Sequence, residues 1–259
     1  MTVLILNTKI LVIPNFILVI PIGRRHKSLK PRTSELIRKK IIKSILEGEY
    51  QIDEPLLPER ELANLFHVGR PTVREALQSL ESDGWITARK GMPAIVNNYW
   101  TQGNLMTIVN ILQCYEDIPD IFIEYMLELR ISLTPTYIME AVRHAPVKVI
   151  ALFADLENLQ DHAEAYAVFD WELQLKLASL SPNPIYLFIL NSFSDIYVPM
   201  AKKYFDVLDH RKASRHYYDE LLAAVLKGDL LATEQLTKDM MKKSLQLWKK
   251  KCDEEESGK

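Results

Sequence analysis

Only two cysteines occur in 259 residues, Cys114 and Cys252. Their separation fits neither a metal knuckle nor a CxxC redox pair, so both read as reduced thiols of a cytoplasmic protein. No glycine-rich loop follows residue 103, and the region behind it holds no P-loop, dinucleotide fingerprint or nucleophile elbow. Those absences argue against an enzyme. An internal repeat is also missing, which excludes a solenoid. Charge of one sign is missing overall, since the net charge is -2. That balance alone gives no hint of nucleic acid. It hides an asymmetry, however. Residues 23–92 carry 14 Lys+Arg against 10 Asp+Glu, whereas residues 93–259 carry 17 against 24. A basic front and an acidic back suggest that only the front meets a polyanion.

Long apolar runs are confined to the beginning of the chain. MTVLILNTKILVIPNFILVIPI is interrupted by Asn7, Lys9, Pro14 and Asn15, short of the ~20 uninterrupted residues of a membrane span. Its basic cluster Arg24-Arg25-His26-Lys27 follows the apolar stretch rather than preceding it, unlike a signal peptide. Three readings stand for residues 1–22: a mis-assigned start, which is favoured, a hairpin-like appendage, or a membrane anchor.

What is present is helical. Ser34 is the expected N-cap of a helix to about Leu46, with Ile37, Ile41, Ile42 and Ile45 at helical spacing. A second helix runs from about Pro58-Glu59 to Phe66 and buries Leu62, Leu65 and Phe66. His67-Val68-Gly69 then makes a turn of helix-turn-helix length. The third helix, Arg70 to about Ser82, tolerates Pro71 in its first turn. Val73, Ala76, Leu77 and Leu80 form its inward stripe. Arg70, Arg74 and Gln78 form a separate stripe suited to phosphates and base edges of a major groove. Two short β-prone runs, Trp85–Arg89 and Pro93–Val96, flank a glycine turn and read as a wing, with Arg89 and Lys90 at its tip.

From about Gly103 the pattern is all-helical, with about seven stretches near 104–115, 118–143, 147–163, 164–180, 184–206, 209–227 and 230–251. Pro119, Pro146, Pro182, Pro184 and Gly228 separate several of them. The fold class is therefore mainly α: an N-terminal winged helix-turn-helix followed by an all-α bundle large enough for a ligand cavity. The expected divisions are an apolar extension at 1–26, the head at 27–98, the helical domain at 99–252 and a polar tail at 253–259.

Leu57 to Ile86 closely resembles the head of the GntR superfamily. The matching elements are Pro58-Glu59-Arg60-Glu61-Leu62-Ala63, Arg70-x-Thr72-Val73-Arg74-Glu75-Ala76-Leu77 and Leu80-x-x-Asp83-Gly84. The helical part resembles the FadR subfamily through Lys90-Gly91-x-Pro93, Val96-Asn97-Asn98-Tyr99-Trp100, Asp161-His162-Ala163, Asn183-Pro184-Ile185-Tyr186 and Tyr204-Phe205. The resemblance spans about residues 32–251. It implies DNA contacts at Arg60, Arg70, Thr72, Arg74, Lys90 and Gly91, beside the Gln78 and Arg89 read from the helix and wing. Gly69 and Pro71 stand where the subfamily has threonines, and Lys90 where it has histidine, which puts the operator preference in question.

The resemblance further implies a homodimer on a palindromic operator and a long-chain acyl-CoA effector. It implies repression of fatty-acid degradation and activation of unsaturated fatty-acid synthesis, relieved by that effector. Arg130, Tyr204, Ser244 and Trp248 become the implied ligand contacts. The competing expectation is plain core for Tyr204 and Trp248, and an ion pair of Arg130 with Glu124 or Glu128. Many relatives of the helical domain bind a divalent metal through one Asp and three His. Here the positions fall on Asp170, Gln174 and near Tyr218 and Met240, so no metal and no cofactor is expected. The alternatives are a regulator of the same superfamily answering to another organic acid, a helical acyl-CoA-processing enzyme with a borrowed head, and a membrane-tethered regulator.

Overall fold

The computed structural model describes residues 8–13, 16–21, 32–115 and 117–257. Strands β1 (Thr8–Ile13) and β2 (Phe16–Pro21) pair antiparallel, with Thr8 opposite Pro21 and Ile13 opposite Phe16. That is the hairpin form among the three readings of this segment. The expected boundary at 26/27 lies outside the described residues. Among the described residues no helix is long and apolar enough to cross a membrane.

The head consists of α1 (Thr33–Leu46), α2 (Glu59–Leu65) and α3 (Arg70–Ser82), followed by the hairpin of β3 (Ile86–Arg89) and β4 (Met92–Val96). Ile37, Ile41, Ile42 and Ile45 are all buried, as their spacing predicts, and pack with Ala76, Leu80 and Trp85. Two local expectations fail. Arg32, not Ser34, is the residue before the first helical turn, and Ser34 is buried inside the helix. Leu65 is 56% exposed. His67 takes a left-handed φ of 53°. That turn swings Val68 back onto Leu62, Ala63 and Val73, where with Phe66 it completes the cluster.

Behind the head come α4 (Tyr99–Gln102), α5 (Leu105–Gln113), α6 (Asp120–His144), α7 (Pro146–Ala151), α8 (Ala163–Leu180), α9 (Ile185–Ser192), α10 (Tyr197–Phe205), α11 (Leu208–Leu226) and α12 (Leu230–Ser257). Nine helices are thus described where about seven are expected. Tyr99–Gln102 forms a short extra turn. The stretch 147–163 is helical only to Ala151, with a 3-10 turn at Leu156–Asn158, and α8 begins where His162 caps it, its Nδ1 accepting from the Ala165 amide at 3.2 Å. The stretch 184–206 breaks before Pro199. Pro199 stands in the first turn of α10, where its missing N–H leaves no intrahelical bond unmade, so it suits a helix start there, whereas α6 runs on through Pro135. The tail expected from 253 is helical to Ser257. Lys250 and Lys251 pair with Glu254 and Glu255 one turn on, at 3.6 and 2.8 Å, which supports that extension.

Helix α5 belongs to both cores. Ile111 is buried among the isoleucines of the head, while Val109 and Leu112 are buried in the core of the helical domain.

Candidate nucleic-acid interface and effector cavity

The recognition surface is built on α3. Val73, Ala76 and Leu80 are buried and Leu77 is half-buried, so the opposite face is held outward. Arg70, Arg74 and Gln78 are exposed on it, and Thr72 is half-buried in the first turn. Arg60 is exposed on α2. In the wing, Arg89 pairs with Met92 across the turn, and Lys90 and Gly91 form its exposed tip. Gly91 has φ +76°, a conformation that favours glycine. The wing is tied to α3 by the Ala88 amide, which donates to Glu81 at 3.0 Å.

Between α3 and the wing lies an open cleft of about 690 Å³. Arg74, Gln78, Arg89 and Gly91 line it, together with Glu59 and Glu81. Arg60, Arg70, Thr72 and Lys90 do not line it. They sit beside it, on α2, on the first turn of α3 and on the wing tip. Glu59 is the residue sequence reasoning missed. Its carboxylate accepts from both Nε and Nη2 of Arg74, at 3.2 and 2.7 Å. The Arg74 hydrogen bond holds the Glu59 carboxyl below its usual range, and Arg70 contributes charge as well. Any anion that approaches Arg74 must therefore compete with Glu59. The Pro-Glu-Arg element contained the signal, but pairing across 15 residues needs the fold.

The second site is in the helical domain. Arg130 of α6 reaches Asp170 of α8, with Nη1 3.1 Å from the carboxylate, and donates to the Tyr197 hydroxyl at 2.8 Å. Asp170 is 2% exposed. Besides Arg130 it accepts from Tyr197, from Tyr218 at 2.8 Å and from the Gln174 amide at 3.2 Å. Gln174 in turn accepts from Tyr137 at 2.5 Å. Burial alone would lower the basicity of Arg130, but Asp170 beside it keeps the guanidinium pKa well above its ordinary value. The same burial drives the Tyr197 and Tyr218 hydroxyls well above the usual phenol range, and pushes Tyr137 up to about 12.

This cluster replaces the expected ion pair of Arg130. Arg130 pairs with neither Glu124 nor Glu128; Lys249 takes those two, at 2.9 and 3.8 Å. The four positions tested for a metal do not fit one. Asp170 spends its lone pairs on a guanidinium, two phenols and an amide, and Gln174, Tyr218 and Met240 offer no imidazole. Arg130 is the cation of this site.

Two small apolar cavities flank Arg130. One, of about 40 Å³, is lined by Ile123, Met126, Leu127, Met200, Ala201, Phe205, Tyr204 and Tyr197. The other, of about 20 Å³, is lined by residues including Leu129, Leu133, Ile189, Leu190 and Phe193. Met126, Arg130 and Tyr197 form the wall between them. Tyr204 is buried with its hydroxyl unpartnered, and burial raises that hydroxyl to about 12. Ser244 stands close enough to offset part of the rise, but its own proton goes to the Met240 carbonyl at 2.9 Å. Trp248 is fully buried, 6.2 Å from the Tyr204 ring, and donates to the Asp120 carbonyl at 3.2 Å. Of the four expected ligand residues, Arg130 and Tyr204 line one cavity; Ser244 and Trp248 back Tyr204. Tyr197, the residue that closes both cavities, was not expected. It lies 67 residues from Arg130.

Residues 33–96 match the model of bacterial regulatory proteins of the gntR family, and residues 97–256 match that of the FadR C-terminal domain. The chain is 37% identical over 187 residues to the fatty acid metabolism regulator protein of Shewanella amazonensis, covering 71% of this chain and 76% of that one. It is 34% identical over 209 residues to the protein of the same name from Haemophilus influenzae, covering 81% and 87%. A solved structure of Lar, which controls expression of the Listeria monocytogenes agr system, superposes with a TM-score of 0.58 at 16% identity, over 86% of this chain and 99% of that one. That likeness concerns the fold alone.

Proposed function

From a chain that belongs to the gntR family of bacterial regulatory proteins and carries a FadR C-terminal domain, we propose a transcription switch of fatty acid metabolism that long-chain acyl-CoA releases from DNA. In this reading the chain represses fatty-acid degradation genes and activates unsaturated fatty-acid synthesis genes. The relatives named fatty acid metabolism regulator support the metabolic assignment. Arg60, Arg70, Thr72, Arg74, Gln78, Arg89, Lys90 and Gly91 are the DNA-facing set, with α3 in the major groove and the wing on the flanking backbone.

One observation carries the choice of effector. The cavities expose mainly apolar surface, although Thr134, Tyr137, Gln174 and Tyr197 also line the smaller one, and the one cation among them, Arg130, is already neutralised by Asp170. An alkyl tail enters such a space without leaving a charge uncompensated. A small carboxylate would bring a second anion beside Asp170, and buried unpaired charge is costly. The reading as a sensor of another organic acid is weaker for that reason. Arg130 accordingly organises the cavity wall instead of gripping a phosphate of CoA, while Tyr204, with its free hydroxyl, is the group left to receive a polar atom of the ligand. At about 40 and 20 Å³ the cavities are far below the ~300–1,000 Å³ of ligand pockets. Binding therefore requires α6, α9 and α10 to part, which is the movement a switch needs.

A second copy completes the unit. Ile121, Tyr125 and Leu129 leave an exposed apolar row along α6, and Ile185 and Phe188 do so on α9. Such surface supports a homodimer, whose two heads would read a palindrome. Mobility shift on a palindromic operator, with and without oleoyl-CoA, tests the whole reading. Release by oleoyl-CoA at micromolar levels, but not by free CoA, is the expected result. Binding that ignores oleoyl-CoA overturns the effector assignment and leaves the DNA-binding assignment intact. Sedimentation of the free chain as a monomer overturns the dimer.

A further inference from the structure

The contact between the head and α5 contains a buried polar cluster that the reading above does not use. Arg38 of α1 donates through Nη1 to Asp83 at 2.9 Å and to the Asn110 carbonyl oxygen at 2.7 Å. The Asn110 amide donates back to Asp83 at 2.8 Å, closing a three-membered ring. Arg38 and Asp83 are 12% and 14% exposed, and Asn110 only 2%. Asp83 is the residue that ends the recognition helix. Its carbonyl accepts from Thr107, and Asn104 donates to the neighbouring Ser82 carbonyl at 3.2 Å. Backbones approach closely here as well. A Cβ on Gly84 would stand 2.9 Å from the Gln102 carbonyl oxygen, just ahead of α5.

The first turns of α5 are thus fastened to the last turn of α3 by charge-assisted bonds shielded from water, which are stronger than exposed ones. α5 itself lines neither cavity. It packs against α9, whose Ile189 and Leu190 line the smaller space beside Arg130. We propose that Arg38, Asp83 and Asn110 are positioning residues forming a latch: they make the head and α5 one rigid body, so that displacement of α9 by an occupant of the cavity reaches the DNA-binding face through α5. Val109, Ile111 and Leu112 hold α5 between the two cores, but apolar contacts are not directional and leave it free to rotate. The ring fixes its angle. The effector part of this inference rests on the acyl-CoA reading; the latch itself does not.

The test uses the full chain with Arg38→Met, Asn110→Leu and the conservative Arg38→Lys, which keeps the ion pair with Asp83. Two readouts are taken: operator affinity with and without oleoyl-CoA, and calorimetric unfolding without ligand. The latch predicts that Arg38→Met and Asn110→Leu bind the operator within about threefold of the parent, yet their response to oleoyl-CoA shrinks from about tenfold or more to less than about twofold. Arg38→Lys retains most of the response. It also predicts that one unfolding transition in the parent separates into two in the Met and Leu variants. Unchanged response, or affinity and response lost in proportion in all three, overturns the proposal. If the parent binds DNA but ignores oleoyl-CoA, the acyl-CoA reading fails and calorimetry decides the latch alone: a split transition in the variants sustains it, and one transition throughout overturns it.

Discussion

At the scale of single residues, the proposed DNA-facing surface sets Arg70 and Arg74 against Glu59. Glu59 holds Arg74 with two hydrogen bonds and lies within the field of Arg70. Removing its charge while keeping its shape frees Arg74 for a phosphate. Glu59→Gln is expected to tighten binding to duplex of unrelated sequence by about two- to fivefold at low salt, whereas Arg74→Ala weakens it. Filter binding on a scrambled duplex measures both, and no gain for Glu59→Gln would show that Arg74 is not the group Glu59 restrains. The outward stripe of Arg70, Arg74 and Gln78 was legible because helical periodicity separates it from Val73, Ala76 and Leu80. The restraint was not, because it depends on how α2 crosses α3, and a sequence records no crossing angle.

At the scale of elements, the bundle is organised around an ion pair on two facing helices, α6 and α8. Arg130→Met strands the buried Asp170 carboxylate and is expected to cost about 3–5 kcal/mol. Adding Asp170→Asn removes the stranded charge and should recover much of that loss, which denaturant unfolding will show. If the double variant is no more stable than Arg130→Met, the two residues do not act as a pair. The surrounding phenols give a pH dependence of definite sign. Tyr137, Tyr197, Tyr204, Tyr217 and Tyr218 all have hydroxyl pKa values raised by burial, Tyr137 and Tyr204 to about 12. In the unfolded chain they ionise near the ordinary phenol value of 10.0. Folding then favours the protonated phenols, so their contribution is complete below pH 10 and is lost as pH rises toward 12. The helical domain should lose stability steeply in that window, with tyrosinate absorbance rising together with loss of helix. Independent titration of the phenols while the helix persists would contradict this.

The helices of this domain could be read from proline breaks and apolar spacing, whereas Asp170 and Gln174 stood out only as the places where the resemblance puts metal ligands in relatives. What could not be read was the partner of Asp170. Arg130 is 40 residues away and Tyr218 is 48 away, and nothing in either local pattern distinguishes a buried partner from a solvated one. The helix count differs because Tyr99–Gln102 forms a turn of its own and because the stretch 184–206 divides ahead of α10, whose third residue is Pro199.

At the scale of the whole molecule, charge is divided along the chain. The basic excess of residues 23–92 comes from Arg24, Arg25, Lys27, Lys30 and Arg32 just ahead of α1, and residues 93–259 carry the acidic excess. Operator affinity should therefore fall as salt rises, with each neutralised phosphate adding about 0.9 to the log–log slope. Lys90→Ala, at the tip of the wing, should reduce the slope by about 1 for each head bound and leave sequence preference largely unchanged. An unaltered slope would take Lys90 off the backbone.

The smallness of the cavities beside Arg130 carries a kinetic meaning. A closed protein with room for little more than a water molecule on either side of Met126 cannot admit an alkyl chain on collision. If entry waits for α6, α9 and α10 to part, the observed rate of operator release will rise with acyl-CoA at first and then level off at the rate of that opening, however much ligand is added. The speed of the response would then be a property of the fold, set by how often the bundle breathes, and only its extent would report how much acyl-CoA is present.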